Sequence, residues 1–199
     1  MTLQPLLVVV LSYLVGSIPF GVILGSRLAG LDIRRYGSGN IGATNVLRTL
    51  GFRFAAFTFL LDTLKGAFAF WMAQASGLGP AWIAAAGAAA VAGHNWPVWL
   101  RFRGGKGIAT TFGFVLFAMP YVGLTLAVVW IVVVAMCRYA SVASMLAVAA
   151  TPIAAFVRGY PIAYVAVSVL FAVSAVIRHL SNIRRLLSGT ENRFGVRLK

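Results

Sequence analysis

Acidic side chains are scarce in this sequence of 199 residues, which has 3 Asp and Glu against 17 Lys and Arg and a formal net charge of +14. Charged residues make up only 10% of the chain and hydrophobic residues 61%, whereas an ordinary soluble domain has about 25% and about 45–50%. This composition excludes a conventional water-soluble globule. It also excludes a disordered chain, because so apolar a sequence has ample surface to bury. We predict a single domain over residues 1–199, with lipid as its main solvent.

Cysteine and histidine are almost as rare as acids. One cysteine, Cys137, cannot form an intrachain disulfide or a Cys-rich metal site. The two histidines and three acids are too few for a carboxylate metal cage, so we expect no metal and no cofactor. The first basic residue is Arg27, which follows the apolar N-terminal run instead of preceding it. We therefore interpret that run as a retained membrane helix and not as a signal peptide.

Long apolar runs occupy most of the rest of the chain. A membrane-spanning helix needs about 20 apolar residues, and the hydropathy pattern predicts an all-α polytopic membrane protein with about seven such helices. The predicted segments are 3–28 with a kink at Pro19, 54–75, 81–91 extending toward 99, 108–119, 121–137, 142–157 and 162–177. The segment 108–119 is short for a full crossing, so we expect it to be tilted, sheltered or re-entrant.

Basic residues in short loops mark the cytoplasmic face of a membrane protein. With seven spans, the N-terminus outside and the C-terminus cytoplasmic, 15 of the 17 basic residues fall on the inner face. Only Arg158 falls outside, and Lys65 lies within a span. Merging the two segments around Pro120 would separate the Lys106 loop from the basic C-terminal tail, so we prefer seven spans or another count of the same parity.

Three polar segments then share the cytoplasmic face: 32–48, 93–110 and 178–191. The first two each contain a glycine-rich loop, an Ala-Thr pair followed by an expected helix start, and a nearby cation. Glycines allow successive backbone N–H groups to converge on an anion, and a helix N-terminus adds further donors. Both loops are therefore predicted to bind phosphate groups.

Two familiar phosphate motifs are rejected. The string Gly37-Ser-Gly-Asn-Ile-Gly42 matches G-x-G-x-x-G, but it follows a membrane helix instead of a strand. The Gly-Lys at 105–106 is not a P-loop, because Leu100 stands where the first glycine belongs and Gly107 where Ser or Thr would hold magnesium.

Several polar residues also have simpler interpretations. The basic side chains can serve lipid headgroups, Ser38 and Asn40 can be turn residues, and His94 can cap a helix. Asp62 and Lys65, spaced i, i+3 deep in the second span, form either an internal brace or a support for the active site. His179 and Asn182 are predicted on one helical face. Glu191 either orients His179 or holds an arginine.

At these segments the sequence resembles a known family. The strings at 37–48, 93–110 and 182–191 are similar to the three signature motifs of the bacterial acyl-phosphate:glycerol-3-phosphate acyltransferases, and Leu-Asp-Thr-Leu-Lys-Gly at 61–66 also resembles a family segment. The resemblance covers almost the whole chain. Trp99 and Arg103 stand where many members have Phe and Lys, and neither difference removes a charge.

The resemblance implies an enzyme of phospholipid synthesis in the bacterial cytoplasmic (inner) membrane, with its active site facing the cytoplasm. It would transfer a fatty acyl group from acyl phosphate to the 1-hydroxyl of glycerol 3-phosphate. Expected partners are these two substrates, membrane lipids and the soluble enzyme that makes acyl phosphate, but no nucleic acid. The catalytic residues implied are Ser38, Arg48, Lys106 and His179. The substrate-binding residues implied are Gly37, Gly39, Asn40, Thr44, Asn45, His94, Gly104, Gly105, Gly107, Asn182 and Glu191.

Two alternatives stay open at this point. A transporter or flippase of an anionic phosphometabolite or lipid would need a site near the midplane and often has an internal repeat, which the seven segments lack. A non-catalytic membrane scaffold would leave the glycine loops unexplained. Because Cys137 and the two histidines provide no nucleophilic triad, we expect direct attack of the glycerol hydroxyl on the acyl carbonyl. The proton acceptor is His179, His94 or a phosphate oxygen.

Overall fold

The structure is a computed structural model, and it describes residues 3–196. Every regular element in that range is helical, as the hydropathy pattern predicts. The helices are α1 (Gln4–Gly16), α2 (Phe20–Leu28), α3 (Ala43–Thr49), α4 (Phe52–Ala75), α5 (Pro80–Asn95), α6 (Ile108–Ala118), α7 (Pro120–Cys137), α8 (Ala140–Val157), α9 (Ile162–Arg178) and α10 (Leu180–Leu187). Single 3₁₀ turns at Ile33–Arg35 and Val98–Leu100 lie in the two glycine-rich loops.

The predicted first span is broken where the proline requires it. Pro19 has no backbone N–H to donate to the preceding turn, so α1 ends at Gly16 and α2 begins at Phe20. At the break the carbonyls of Gly16 and Ile18 accept no bond from the helical donor four residues on, although Ile18 accepts from the Phe20 N–H at 3.1 Å. Lys65 Nζ, from α4, donates to both, at 3.1 and 3.0 Å.

Small residues allow the long helices to approach closely. A Cβ added to Gly66 of α4 would collide with the Thr110 carbonyl of α6, and one added to Gly113 of α6 would collide with the Thr63 carbonyl of α4. Gly16 and Gly93 form a similar contact between α1 and α5. Helices in a membrane associate through this kind of packing, because burial from water cannot drive them together there.

Phe114 of α6 lies at the centre of the bundle and is completely buried. Its ring meets Phe70 of α4 edge-on at 6.5 Å and Phe171 of α9 at 5.8 Å, and it fills the space over Gly87 of α5. Helices α7, α8 and α9 pack in sequence on one side of this core. The short helix α6 is therefore sheltered by longer ones, as its length requires.

The chain reverses sharply between α6 and α7. Met119 is the only residue between the two helices, and a Cβ on Gly123 would lie 2.5 Å from Leu116 Cα. Residues seven apart in one continuous helix would be about 10 Å apart, so α6 and α7 form a tight antiparallel pair. The segments around Pro120 are not one merged helix.

Within residues 3–196, four segments suffice by length and hydropathy to cross a membrane: Gln4–Leu28, Phe52–Ala75, Pro120–Cys137 and Ala140–Val157. The pair α9 and α10, bent by 53°, adds a fifth if the two helices count as one span. Apolar side chains such as Leu6, Phe57, Ile131 and Ile153 cover the outward faces of these helices, as expected for surfaces in contact with lipid. The chain is thus an all-helical membrane protein.

Candidate active site

The three polar segments meet at one cavity of about 120 Å³. It lies between the first glycine loop with α3, the start of α6, the start of α8 and the bend between α9 and α10. Its polar lining residues are Ser38, Asn40, Thr44, Asn45, Arg48, Asp62, His94, Lys106, Ser141, Ser144, His179, Asn182 and Glu191. Polar groups separated by up to about 150 positions in the sequence therefore share one site.

The first glycine loop is held by the side chain of Asn45. Its Nδ2 donates to the carbonyls of Ile33, Tyr36 and Asn40 at 3.1, 3.2 and 2.8 Å, and its Oδ1 accepts from the Ser38 N–H at 2.9 Å. Asn45 was expected to bind substrate, but these bonds occupy its polar atoms. It lines the cavity and positions the loop.

Glycines provide the backbone turns of this loop. Gly37 and Gly39 have φ of 61° and 69°, which residues with a Cβ rarely adopt. Asn40 Oδ1 closes the turn by accepting from the Gly42 N–H at 2.9 Å. The sequence predicted that α3 would start after the Ala-Thr pair. Instead α3 begins at Ala43, and the pair forms its first turn.

The second glycine loop is clamped from behind. Arg178 donates from Nε to the Gly105 carbonyl and from a terminal nitrogen to the Gly104 carbonyl, both at 2.9 Å. A Cβ on Gly105 would collide with the His94 ring, so only glycine fits there. Lys106, between these glycines and α6, donates to Asn182 Oδ1.

Glu191 organises the third segment. Its Oε1 accepts from Asn182 Nδ2 at 2.6 Å and from the Ser141 hydroxyl at 2.9 Å, and its Oε2 accepts from Arg185 Nε at 2.7 Å. These bonds hold the Glu191 carboxyl pKa below its usual value against the opposing effect of burial. Of the two roles proposed from the sequence, Glu191 thus holds an arginine. Its bond to Asn182 also turns the amide oxygen toward Lys106.

Arg48 and Lys106 are cations without a paired carboxylate among residues 3–196. Arg48 is 7% exposed, and its Nε has no hydrogen-bond partner within residues 3–196. Burial lowers the pKa of the Arg48 guanidinium, and it lowers the pKa of Lys106 to about 8, the carboxylate of Glu191 offsetting part of this effect. Because a buried charge is costly unless paired, the cavity is suited to an anion.

His179 is oriented by the backbone. Its Nδ1 lies 2.7 Å from the Ala175 carbonyl, which can only accept, so Nδ1 carries the proton. In the neutral ring Nε2 is then the nitrogen with a free lone pair. His179 lies at the bend and not within α10, so it shares the cavity with Asn182 but not a continuous helical face.

A buried cluster lies under the second glycine loop. Asp62 and Lys65 form an ion pair of 2.8 Å, and Lys65 Nζ is 3.1 Å from His94 Nδ1. His94 is therefore not a simple helix cap, because its ring faces this cluster and its carbonyl accepts from the Gly105 N–H at 3.0 Å. The pair serves both roles considered from the sequence: it braces the α1–α2 break and supports the cavity wall.

The structure does not bring all of the expected site residues to the cavity. Most line the cavity, Gly107 among them, but four glycines do not. Gly39 and Gly104 line a separate cleft, Gly105 lies behind His94, and Gly37 shapes the loop. The sequence analysis did not identify Ser141 or Ser144, because an isolated serine in an apolar helix gives no signal of a site.

The cavity also has an apolar lining. Phe59, Ile108, Ala109, Trp130 and Ala140 contribute to it, and Phe59 is largely exposed on the outer face of α4. Ile108 at the start of α6 thus lies at the cavity, whereas the exposed aromatic residues Trp99 and Phe102 line the separate cleft. A polar end next to an apolar end fits an amphiphilic substrate.

Comparisons with known proteins agree with this geometry. The family model described as glycerol-3-phosphate acyltransferase matches residues 6–189. The glycerol-3-phosphate acyltransferase of Rubrobacter xylanophilus is 46% identical over 191 residues, which are 96% of each chain. That of Brucella anthropi is 50% identical over 193 residues, covering 94% of this chain and 92% of the relative.

Solved structures are similar too. PlsY (YgiH), an integral membrane glycerol 3-phosphate acyltransferase, matches in its glycerol 3-phosphate form with a TM-score of 0.91 and 40% identity, covering 96% of both chains. Its lysophosphatidic acid form matches with a TM-score of 0.89 and 39% identity, covering 96% of this chain and 95% of that one. The family resemblance seen in the three motifs is confirmed, and the chain belongs to the glycerol-3-phosphate acyltransferase family.

Proposed function

We propose that this enzyme transfers a fatty acyl group from acyl phosphate to the 1-hydroxyl of glycerol 3-phosphate, giving lysophosphatidic acid and inorganic phosphate. The observation that carries the proposal is the pair of cations, buried Arg48 and partly buried Lys106, in a cavity that also has an apolar lining. Both substrates are phosphates, and one of them carries a long apolar chain. The similar structures of PlsY are those of a glycerol 3-phosphate acyltransferase in a glycerol 3-phosphate form and in a lysophosphatidic acid form.

The reaction is a direct displacement. The glycerol oxygen attacks the acyl carbonyl carbon, a new C–O ester bond forms, and the C–O bond to phosphate breaks. Phosphate leaves with the bonding electrons and finally takes up the hydroxyl proton. His179 Nε2 can relay that proton, or the phosphate oxygen can take it directly. His94 is less suitable, because its Nδ1 is occupied by Lys65.

The protein's contribution is positioning and charge stabilisation. Arg48 and Lys106 line the cavity and can contact the phosphates and the developing oxyanion, where preorganised donors typically contribute about 10²–10³-fold in rate. Ser38 and Asn40 are residues of the first loop that line the cavity together with these cations. Asn182, held by Glu191, positions Lys106 and the glycerol phosphate. Thr44 and Gly107 complete the binding wall.

The test is an assay of purified protein in detergent with acyl phosphate and glycerol 3-phosphate. We expect lysophosphatidic acid and phosphate in equal amounts, without a gradient or a second compartment. An enzyme makes these products under such conditions, whereas a transporter makes none. Acyl-CoA and acyl carrier protein thioesters, supplied in parallel, should not replace the acyl phosphate. Capture of a radiolabelled acyl-enzyme after rapid quenching would overturn direct displacement.

We further propose seven membrane spans with the N-terminus outside and the C-terminus in the cytoplasm of a bacterial inner membrane. The reversal at Met119 supports separate crossings for α6 and α7. This topology puts the active site and 15 of 17 basic residues at the cytoplasmic face. Arg197 and Lys199, two of those residues, lie outside the described part of the chain.

The acyl donor must be made elsewhere, because the proposed reaction consumes an acyl phosphate and forms none. We propose that a soluble acyl-phosphate-producing enzyme delivers it at the cytoplasmic surface, while membrane lipids surround the acyl chain. Cross-linking of the two proteins in membranes, lost when the soluble enzyme is removed from the surface by high salt, tests this delivery. Equal cross-linking of an unrelated membrane protein would contradict it.

A further inference from the structure

A second cleft, of about 820 Å³, lies behind the two glycine loops. Gly39 and Gly104 form part of its wall, while their neighbours Asn40 and Lys106 face the catalytic cavity. Four arginines line this cleft together with two aromatic residues: Arg34, Arg101, Arg103, Arg178, Trp99 and Phe102. The proposed reaction uses none of these side chains as a contact to substrate.

Of the four cleft arginines, only Arg34 is paired with an acidic side chain in residues 3–196. The sequence has only three such acids, and each has a partner already. Asp32 pairs with Arg34 at 2.8 Å, Asp62 with Lys65 at 2.8 Å, and Glu191 with Arg185 at 2.7 Å. Within the described residues, no carboxylate pairs with Arg101 or Arg103, so both are available to an anionic ligand.

The segment 96–103 is built to lie at a membrane surface. Arg101 and Phe102 both have left-handed backbones, with φ of 52° and 62°, a conformation that residues with a Cβ rarely adopt. This turn exposes Trp99 by 60% and Phe102 by 59%, next to exposed Arg101 and Arg103. Aromatic rings beside basic side chains are typical of the interface between hydrocarbon and headgroups.

Arg178 connects the cleft to the catalytic loop. Its guanidinium donates to the Gly104 and Gly105 carbonyls, and its centre lies 5.6 Å from the Trp96 ring. Two of its five N–H groups are used in these bonds, so others remain for an anion in the cleft. A ligand there would touch the outer side of both loops that form the active site.

We propose that this cleft binds the phosphate group of an anionic phospholipid, with Arg101 and Arg103 as its main contacts and Trp99 and Phe102 at the level of the headgroups. A lipid is favoured over a soluble phosphate because the aromatic side chains place the cleft at the bilayer surface. Its occupation holds the glycine loops in their binding conformation through Gly39, Gly104 and Arg178. The lipid is thus a structural and activating ligand, separate from substrate.

The test compares lipid selectivity without turnover. Wild-type protein, an Arg101→Gln/Arg103→Gln variant and a control Arg27→Gln/Arg53→Gln variant are reconstituted in phosphatidylcholine vesicles that contain brominated phosphatidylglycerol. The quenching of tryptophan fluorescence, relative to brominated phosphatidylcholine, reports binding. The measurement is made in 0.5 M NaCl, where the attraction of exposed charges is screened. Arg27 and Arg53 are exposed and do not line the cleft.

We expect wild type and control to prefer phosphatidylglycerol equally, and the cleft variant to lose about fivefold in selectivity per arginine, because each substitution removes a directed, charge-assisted hydrogen bond to the lipid phosphate, which salt screens less than diffuse surface attraction. Equal loss in both variants, or no preference in wild type, would overturn the proposal. So would displacement of the brominated lipid by millimolar inorganic phosphate or glycerol 3-phosphate, which would make a soluble phosphate the occupant. Binding is measured without substrates, so this result does not depend on the proposed acyl transfer.

A second readout tests activation. The cleft variant should keep wild-type activity in detergent, which also shows that it folds, but should not be stimulated when phosphatidylglycerol is added to phosphatidylcholine vesicles. The control variant should be stimulated like wild type. Stimulation of the cleft variant to the wild-type level would contradict a role of the cleft in activation.

Discussion

Lys106 lies where burial disfavours the charged form of its side chain. Its side chain is partly buried, burial lowers its pKa to about 8, and among residues 3–196 it donates a hydrogen bond to the amide oxygen of Asn182. A partly buried ammonium with a neutral partner is stabilised when a phosphate binds beside it. Phosphate binding is therefore favourable at the position where the reaction develops negative charge. Arg48, with its Nε unpaired within the described residues, is a second group of the same kind.

Replacing Lys106 should therefore affect the reaction and not the fold. We expect Lys106→Ala to lower kcat/KM for glycerol 3-phosphate by about 10²–10³-fold, the usual loss for one preorganised donor. Arg53→Ala, an exposed basic residue near the same end of the bundle, should stay near wild type. Both are measured by lysophosphatidic acid formation in detergent. Full activity of Lys106→Ala would contradict the assigned site.

The pH profile should report the same group. The folded pKa of Lys106 is lowered from 10.5 to about 8, so its charge is complete at lower pH and is lost as pH rises through about 8. Phosphate monoesters titrate near about 6 and keep their charge throughout this range. We expect kcat/KM for glycerol 3-phosphate to fall above about pH 8 in wild type.

A Lys106→Arg variant separates this effect from others. An arginine stays protonated far above pH 8, so its alkaline limb should move upward even if its maximal activity is lower. An unchanged limb in this variant would assign the titration to another group.

The broken first span shows how one element depends on a side chain of another. Pro19 removes a backbone donor, and Lys65 of α4 supplies an ammonium to the carbonyls that are left. Asp62 balances that ammonium at 2.8 Å. The arrangement ties the α1–α2 break to the helix that carries one wall of the active site.

This dependence predicts a non-additive pair of mutations. Lys65→Met leaves the Asp62 carboxylate buried without its partner, which typically costs about 3–5 kcal/mol. The double variant Asp62→Asn/Lys65→Met removes that charge, so it should be more stable than Lys65→Met alone. Thermal unfolding in detergent measures both, together with Asp62→Asn. Simple addition of the two single effects would show that the ion pair is not coupled in this way.

Packing between α4 and α6 gives a second prediction for an element. A methyl group on Gly113 would meet the Thr63 carbonyl, so Gly113→Ala has to push α6 away from α4 at a cost of about 1–3 kcal/mol. Lys106 lies just before α6, and activity should fall with stability. Gly79→Ala is the matched control, because a Cβ there has no heavy atom within 4 Å. Equal melting temperatures for the two variants would refute this packing account.

For the whole molecule, the sequence predicted those features that depend on local composition. The helices begin and end within about three residues of the apolar runs in most cases, because hydropathy and prolines at 19, 80, 120 and 161 set them. The three polar segments were expected on one face, and the structure brings them to one cavity. Both glycine loops were predicted because their backbone turns need glycine, and a short stretch of sequence shows where the glycines lie.

Contacts between distant residues could not be predicted in this way. Lys65 meets carbonyls 47 and 49 positions away, and Ser141 meets Glu191 at a separation of 50. Such pairs depend on how helices are arranged, and one sequence carries no signal for them. The same limit applies to the roles of Asn45 and Arg178, whose partners are backbone carbonyls that every residue has.

The proposed topology has consequences that labelling can test. In a functional Cys137→Ser background, single cysteines replace Arg53, Arg101 and Arg158, and intact cells are treated with a maleimide that cannot cross the membrane. With seven spans, Arg158→Cys reacts from outside, whereas Arg53→Cys and Arg101→Cys react only after the membrane is opened.

The labelling of Arg101→Cys distinguishes seven membrane spans from a smaller odd number of spans. If α5 and α6 did not cross the bilayer, Arg101→Cys would react from outside while the other two sites kept their pattern. That outcome would also place the arginine cleft and the Lys106 loop away from the basic C-terminal segment, although the cavity joins Lys106 to Asn182 through a direct hydrogen bond. Because that bond requires both segments at one membrane face, we expect Arg101→Cys to be protected in intact cells.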